Sequence, residues 1–196
     1  MHPPEPTPRP TTLLQNFARF LLRVIGWHSV VVPPPAPKGI VVVYPHTSNW
    51  DFIIGLLFKL GAGLPIRWMG KDTLFRWPFR RLLVRLGGIP INRRAPTGFV
   101  KALLAEFDRS EWMWLAVAPE GTRRKVDRWR SGFYHIAHQA GVPIVGVGLD
   151  WGRRAVRIGP PFPTTGDEVA DIASLQRFFA DVRGRVADNA YPPPPE

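Results

Sequence analysis

Gly39-Ile40-Val41-Val42-Val43-Tyr44-Pro45-His46-Thr47-Ser48-Asn49-Trp50-Asp51 is the stretch whose reading decides the fold. The Val-rich run from Gly39 to Tyr44 has the length and β-branched content of a buried strand. Ser48 reads as the N-cap of a helix over 49–60, and Asp51, three residues on, puts a carboxylate in the acidic place of a capping box. The loop between strand and helix carries His46. A histidine takes a proton from a hydroxyl near neutral pH, and a nearby carboxylate fixes its tautomer and stabilises its cation. The alternative is plain: Asp51 caps a helix and His46 is a loop residue. Chance places a His-x4-Asp in a chain of this composition roughly 0.2 times, so spacing alone does not decide between the two.

Outward from this unit, strand and helix signals alternate. Ile66 to Met69 and Ile89 to Asn92 are short extended segments, and Trp112 to Ala118 is an apolar strand. Val142 to Leu149 and Ala155 to Ile158 are strands around an Asp150-Trp151-Gly152 turn. Helices are expected over Trp77 to Leu86, over Thr97 to Arg109 with Phe99, Leu103, Leu104 and Phe107 inward, over Ser131 to Ala140, and over Ile172 to Ala187. This predicts one α/β domain, residues 39–190, with a mixed central sheet flanked by helices. No internal repeat is visible.

The 23 prolines cluster at the edges of that domain. Residues 1–11 and 191–196 read as Pro-rich tails, and residues 33–38 as a Pro-rich linker. Between tail and linker, residues 12–32 read as an amphipathic helix. Leu13, Phe17, Leu21, Val24 and Ile25 share one face, while Gln15, Asn16, Arg19 and Arg23 lie elsewhere. The run is too interrupted to span a bilayer and suits a membrane interface, with Trp27 at its end. The alternative is a terminal helix packed on the core.

A net charge of +11 and a pI of about 11.1 predict an anionic partner: lipid headgroups, a polyphosphate group or nucleic acid. The chain has no cysteine, which excludes disulfides, thiolate metal sites and a cysteine nucleophile. Prolines and Glu5 fill the extreme N-terminus, so no secretory signal is read there. A second basic stretch carries Arg67, Lys71, Arg76, Arg80, Arg81 and Arg85, with Trp68, Phe75, Trp77 and Phe79 interleaved. It suits a solvated helix face, a nucleic-acid surface, or a membrane patch with arginines on anionic lipid.

Further blocks carry chemistry. Pro119-Glu120-Gly121-Thr122-Arg123 follows a strand; glycine lets backbone N–H groups approach a phosphate, and arginine supplies a bidentate fork. The plain alternative is a surface turn with a Glu120–Arg123 ion pair. Gly88-Ile89-Pro90-Ile91-Asn92-Arg93-Arg94 ends an extended run in two arginines, and Val142-Pro143-Ile144-Val145 is an apolar strand entry. His135 and His138 would share a helix face, but without a third ligand they predict no metal site. No Walker-type phosphate loop, complete dinucleotide fingerprint or Gly-x-Ser-x-Gly elbow occurs.

In this order the blocks resemble those of the glycerolipid acyltransferases, and within them the lysophosphatidic acid (1-acyl-sn-glycerol-3-phosphate) acyltransferases. The resemblance runs from about Gly39 to Phe162. Softer matches are Lys71-Asp72-Thr73-Leu74-Phe75 and Ser131-Gly132-Phe133. It implies that His46 is the general base and Asp51 its orienting carboxylate. It also implies that Arg93, with Glu120, Gly121, Thr122 and Arg123, holds the acceptor's phosphate. No bound cofactor or metal is implied, since the acyl donor, acyl-CoA or acyl carrier protein, is a substrate. Asn92, Pro90, Ala118 and Arg124 depart from the family's usual residues and bear on the acceptor's identity.

The expected activity is acyl transfer to the hydroxyl of a lysophospholipid, by direct attack without an acyl-enzyme. Backbone N–H groups after Ser48 are candidates for polarising the carbonyl. A different lyso-acceptor, such as a lyso-aminolipid, and a non-catalytic lipid- or nucleic-acid-binding module are the alternatives. The expected partners are membrane lipids and the acyl donor rather than nucleic acid, at the cytoplasmic face of the cell membrane.

Overall fold

The computed structural model describes residues 11–91 and 98–190. Seven strands form one sheet: β1 (His28–Ser29), β2 (Lys38–Tyr44), β3 (Arg67–Lys71), β4 (Gly88–Ile91), β5 (Met113–Val117), β6 (Ile144–Asp150) and β7 (Ala155–Phe162). Their order is β1-β7-β6-β2-β5-β3-β4. All neighbours are parallel except β6 and β7, which are antiparallel, as a tight turn at residues 151–154 requires. The sheet is therefore mixed, and β2 sits at its centre between β6 and β5.

Alternation along β2 and β5 divides the core into two layers. Ile40, Val42 and Tyr44 join Met113, Leu115 and Val117 on one face. They meet Leu103 and Phe107 of α4 (Phe99–Arg109), Phe133 and Ile136 of α5 (Gly132–Ala140), and Leu175 of α6 (Glu168–Phe178). Val41 and Trp114 face the other way, with Val145, Val147 and Leu149 of β6. They meet Leu22 of α1 (Leu13–Val24), and Ile54 and Phe58 of α2 (Asn49–Ala62). Each fully buried Ile or Phe of this kind contributes about 1.5–3 kcal/mol, so two such residues on α2 hold the site-bearing helix to the sheet.

Several element bounds differ from expectation for local reasons. α1 stops at Val24, and Gly26 turns the chain at φ +76. His28 and Ser29 then join the sheet beside β7 instead of continuing a helix. The basic helix is shorter than its sequence pattern: α3 spans Arg80–Arg85, preceded by a cis Trp77–Pro78 bond. The last helix starts earlier than expected, because Asp167 caps it through Ala170 N, and it ends at Phe178. Residues 179–186 are then not a helix but a strap that returns to the site.

α1 docks on α2 through Ala18 and Leu22, and Arg19 Nε donates to the Gly61 carbonyl at 2.6 Å. Leu13, Leu14, Phe17, Phe20 and Val24 stay exposed, Leu13 at 90%. Leu74, Trp77, Phe79 and Leu82 are exposed as well, Trp77 at 91%. Among the described residues no helix is long and apolar enough to cross a membrane.

Candidate active site

β2 ends at Tyr44, a cis bond leads into Pro45, and α2 begins at Asn49 with Ser48 as N-cap in extended conformation. His46 therefore lies at the carboxyl end of the central parallel strand, where ligands of open α/β sheets bind. Asp51, in the first turn of α2, is 1% exposed. Its Oδ2 accepts from the Thr47 and Ser48 N–H groups at 2.7 and 2.6 Å, so the carboxylate faces back across the loop. That orientation brings Oδ2 to 3.8 Å from His46 Nδ1, within ion-pair range and too long for a direct hydrogen bond. Capping and proximity to the imidazole are one arrangement rather than rival explanations: a carboxylate that caps this helix must turn toward the loop that holds His46.

Glu120 follows β5, the strand beside β2. Gly121 takes φ +65 and its N–H closes a turn on the Ala118 carbonyl at 3.1 Å. The turn directs the Glu120 side chain inward, where it is 1% exposed. Both its oxygens lie within reach of the His46 backbone N–H, at 3.0 and 3.2 Å. Burial raises its pKa to about 7; the Asp51 charge adds to the rise, and backbone N–H groups of His46 and of Glu120 itself oppose it. In place of the Glu120–Arg123 ion pair of the surface-turn alternative, the two residues make separate contacts. Arg123 reaches across to the Asn49 side chain at the start of α2, and Glu120 holds the histidine loop. The Thr122 hydroxyl accepts from Arg124 N at 3.4 Å. Arg93 lies outside the described residues.

Beside this loop is an apolar cavity of about 160 Å³. His46 and Asp51 line it together with Val41, Val43, Phe52, Leu56, Phe58 and Ile66. Gly55 also lines it, and a Cβ built there meets no atom within 4 Å. Lys59 borders the same space, its amine donating to the Leu86 carbonyl at 2.5 Å; burial lowers its pKa. A larger cleft of about 450 Å³ lies by Asp150, Arg153 and Asp181. Its acids are engaged in ion pairs, Asp150 and Asp181 both with Arg153, so it lacks a base poised for proton transfer.

Residues 29–150 match the sequence model of a family described as Acyltransferase. The chain belongs to the acyltransferase family. This acyltransferase-family chain is 30% identical over 169 aligned residues to the 1-acyl-sn-glycerol-3-phosphate acyltransferase alpha of Bos taurus, covering 73% of the chain and 55% of that protein. The Ovis aries protein of the same name matches to the same extent, and the Homo sapiens one at 29%. The chain thus spans little more than half the length of these relatives. Its fold is similar to the crystal structure of the 1-acyl-sn-glycerophosphate acyltransferase PlsC from Thermotoga maritima. The TM-score there is 0.60 at 19% identity, over 84% of this chain and 76% of that one.

The structure thus joins His46, Asp51, Glu120 and Arg123 around one strand-to-helix loop. It adds residues that sequence reasoning passed over. Trp151 donates its indole N–H to Asp51 Oδ1 at 2.7 Å, and Thr47, 4% exposed, accepts from Val186 N at 3.2 Å. No sequence signal marks either contact, because the partners are about a hundred or more residues apart. On α5, His135 pairs with Glu168 at 3.1 Å, and His138 stacks on Tyr134.

Proposed function

We propose that this chain transfers a fatty acyl group from acyl-CoA or acyl carrier protein to the hydroxyl of a lysophospholipid, 1-acyl-sn-glycerol-3-phosphate being the first acceptor to test. The observation that carries the reading is His46, backed by a buried carboxylate through Nδ1 and lining an apolar cavity. With Nδ1 on the Asp51 side, Nε2 is the nitrogen assigned to the acceptor. The hydroxyl attacks the thioester carbonyl carbon while Nε2 takes its proton. The tetrahedral intermediate collapses, the C–S bond breaks, and the imidazolium returns the proton to the departing sulfur. The apolar cavity is assigned to an acyl chain. Arg123, together with Arg93 by resemblance, is assigned to the acceptor's phosphate.

The exposed apolar residues of α1 and the Trp77–Phe79 segment, flanked by Arg23, Arg76, Arg80 and Arg81, are assigned to the headgroup region of an anionic membrane. The reading carries with it a peripheral position at the cytoplasmic face, with the acceptor in the same surface.

The test is release of free thiol from acyl-CoA in the presence of lysophosphatidic acid. Wild-type protein is expected to release it and His46→Ala to lose the activity. Equal rates in the two would remove the base from the mechanism.

A further inference from the structure

Asp51 is met by four donors. Thr47 N and Ser48 N bond Oδ2, and the Ser48 hydroxyl reaches Oδ1 at 3.2 Å. These three belong to its own capped loop. The fourth, the Trp151 indole N–H at 2.7 Å from Oδ1, comes from 100 residues away and from just past the end of the family match.

The indole is held on several sides. The Trp27 ring meets it edge to face, centroids 5.0 Å apart and planes at 87°. The Arg185 guanidinium lies 5.1 Å from its ring centroid and 5.2 Å from that of Trp50. The Trp151 backbone N–H donates to the Arg183 carbonyl at 2.9 Å. The strap that supplies Arg183 and Arg185 also donates Val186 N to the Thr47 hydroxyl. One C-terminal segment therefore fixes both Trp151 and the loop that bears His46.

We propose that Trp151 is a positioning residue for the His46–Asp51 pair: its indole N–H orients the Asp51 carboxylate and disperses its charge, so that His46 stays available as a neutral base. The inference rests on the acyl-transfer reading above. The fewer donors a buried carboxylate has, the more it favours the imidazolium beside it, and a protonated base cannot take the acceptor's proton. A donor at 2.7 Å on the oxygen other than the one nearest His46 draws negative charge away from the ring. Among the described residues, the titratable and charged groups packed on this loop include Asp51, Glu120 at the His46 backbone, Arg123 at Asn49, and Arg185 over the two indoles. A Trp151→Phe substitution removes the N–H and part of the ring, keeps an aromatic face for Arg185, and leaves the side chains of the other groups unchanged.

The experiment compares Trp151→Phe and Trp27→Phe with wild type, all as full-length protein. One measurement is the rate of thiol release from acyl-CoA and lysophosphatidic acid across pH. The other is the NMR titration of the His46 ring, assigned by its absence in His46→Ala. For Trp151→Phe, kcat at neutral pH should fall about tenfold, the lower end of what losing a hydrogen bond to a charged group does. Both KM values should stay within about twofold. The loss should shrink as pH rises, and the His46 titration should move upward by about one unit, the shift that a tenfold change corresponds to. Trp27→Phe, which keeps the N–H, should resemble wild type in both. An unmoved His46 titration overturns the proposal. So does a pH-independent loss that Trp27→Phe shares, which would make Trp151 a packing residue. The titration needs no turnover. A wild type inactive on these substrates would therefore sink the acyl-transfer reading, and the titration would still decide the role of Trp151.

Discussion

Glu120 holds His46 by its backbone: the two carboxyl oxygens lie 3.0 and 3.2 Å from the His46 N–H. A block that resembles a phosphate-binding turn thus contributes, in this fold, a buried acid that fixes the height of the histidine above the sheet. Its neighbours in the same block turn outward, with Arg123 exposed at the start of α2.

That burial makes stability depend on pH. The Glu120 carboxyl keeps its proton to about pH 7 in the folded chain, against an ordinary 4.5. Between those values the folded state binds a proton that the unfolded state has released, so stability falls as pH rises through the window and levels off above it. Below about pH 4.5 both states are protonated and the contribution is complete. A shift of this size corresponds to about 3 kcal/mol. In chemical denaturation from pH 4.5 to 8, wild type should lose stability with a slope that Glu120→Gln lacks. Parallel profiles for the two would refute the assignment.

Asp51→Asn separates capping from catalysis. Asparagine keeps a side-chain oxygen for the Thr47 and Ser48 N–H groups, so the helix start should form, but its amide NH2 then faces the Trp151 N–H, and the melting temperature should fall by several degrees without loss of the fold. The charge beside His46 Nδ1 is lost, and kcat should fall by about 10²–10³. A folded variant that works at the wild-type rate would show that Asp51 acts only on the helix.

Arg123→Ala and Arg93→Ala should raise the apparent KM for lysophosphatidic acid more than that for acyl-CoA, by about tenfold for loss of a charge-assisted contact. Arg123 is exposed and bonds only the Asn49 side chain among described residues, so its removal should leave folding intact. A selective rise in the donor's KM would move the phosphate site to the CoA side.

Gly55 offers a direct test of the apolar cavity. Since a Cβ there meets no atom within 4 Å, Gly55→Leu should fold and fill part of a space of about 160 Å³. Leucine also favours helix over glycine by about 0.5–1 kcal/mol, so a small gain in stability is expected. Competition between acyl-CoA donors, read by mass spectrometry of the product, should shift toward shorter chains. An unchanged product profile would place the acyl chain elsewhere.

Phe17→Asp with Phe20→Asp tests the membrane assignment. Both phenylalanines are exposed, and α1 docks through Ala18, Leu22 and Arg19 instead. Sedimentation with anionic vesicles should drop several-fold while the circular dichroism spectrum stays the same. Undiminished co-sedimentation would leave the exposed face of α1 without a lipid role.

The sequence by itself determined whatever depends on near neighbours. The Val-rich run before His46, Ser48 as N-cap and Asp51 in the first turn are local, and together they dictate that strand, loop and helix meet where they do. The order of the motif blocks was enough to indicate the family, because each block is a short contiguous stretch. The mixed sheet was legible for the same reason: a short turn at 151–154 forces β7 back along β6.

Only the tertiary structure decided which side chains share a space. Glu120 under His46, Trp151 on Asp51, and Val186 on Thr47 join residues 74, 100 and 139 positions apart. Those contacts follow from strand order and from where the last helix stops, and neither leaves a periodic trace in the sequence. The physical reason is range. Capping and amphipathic periodicity act over three or four residues, whereas the field around His46 is set by groups that only the packed sheet brings within hydrogen-bond distance.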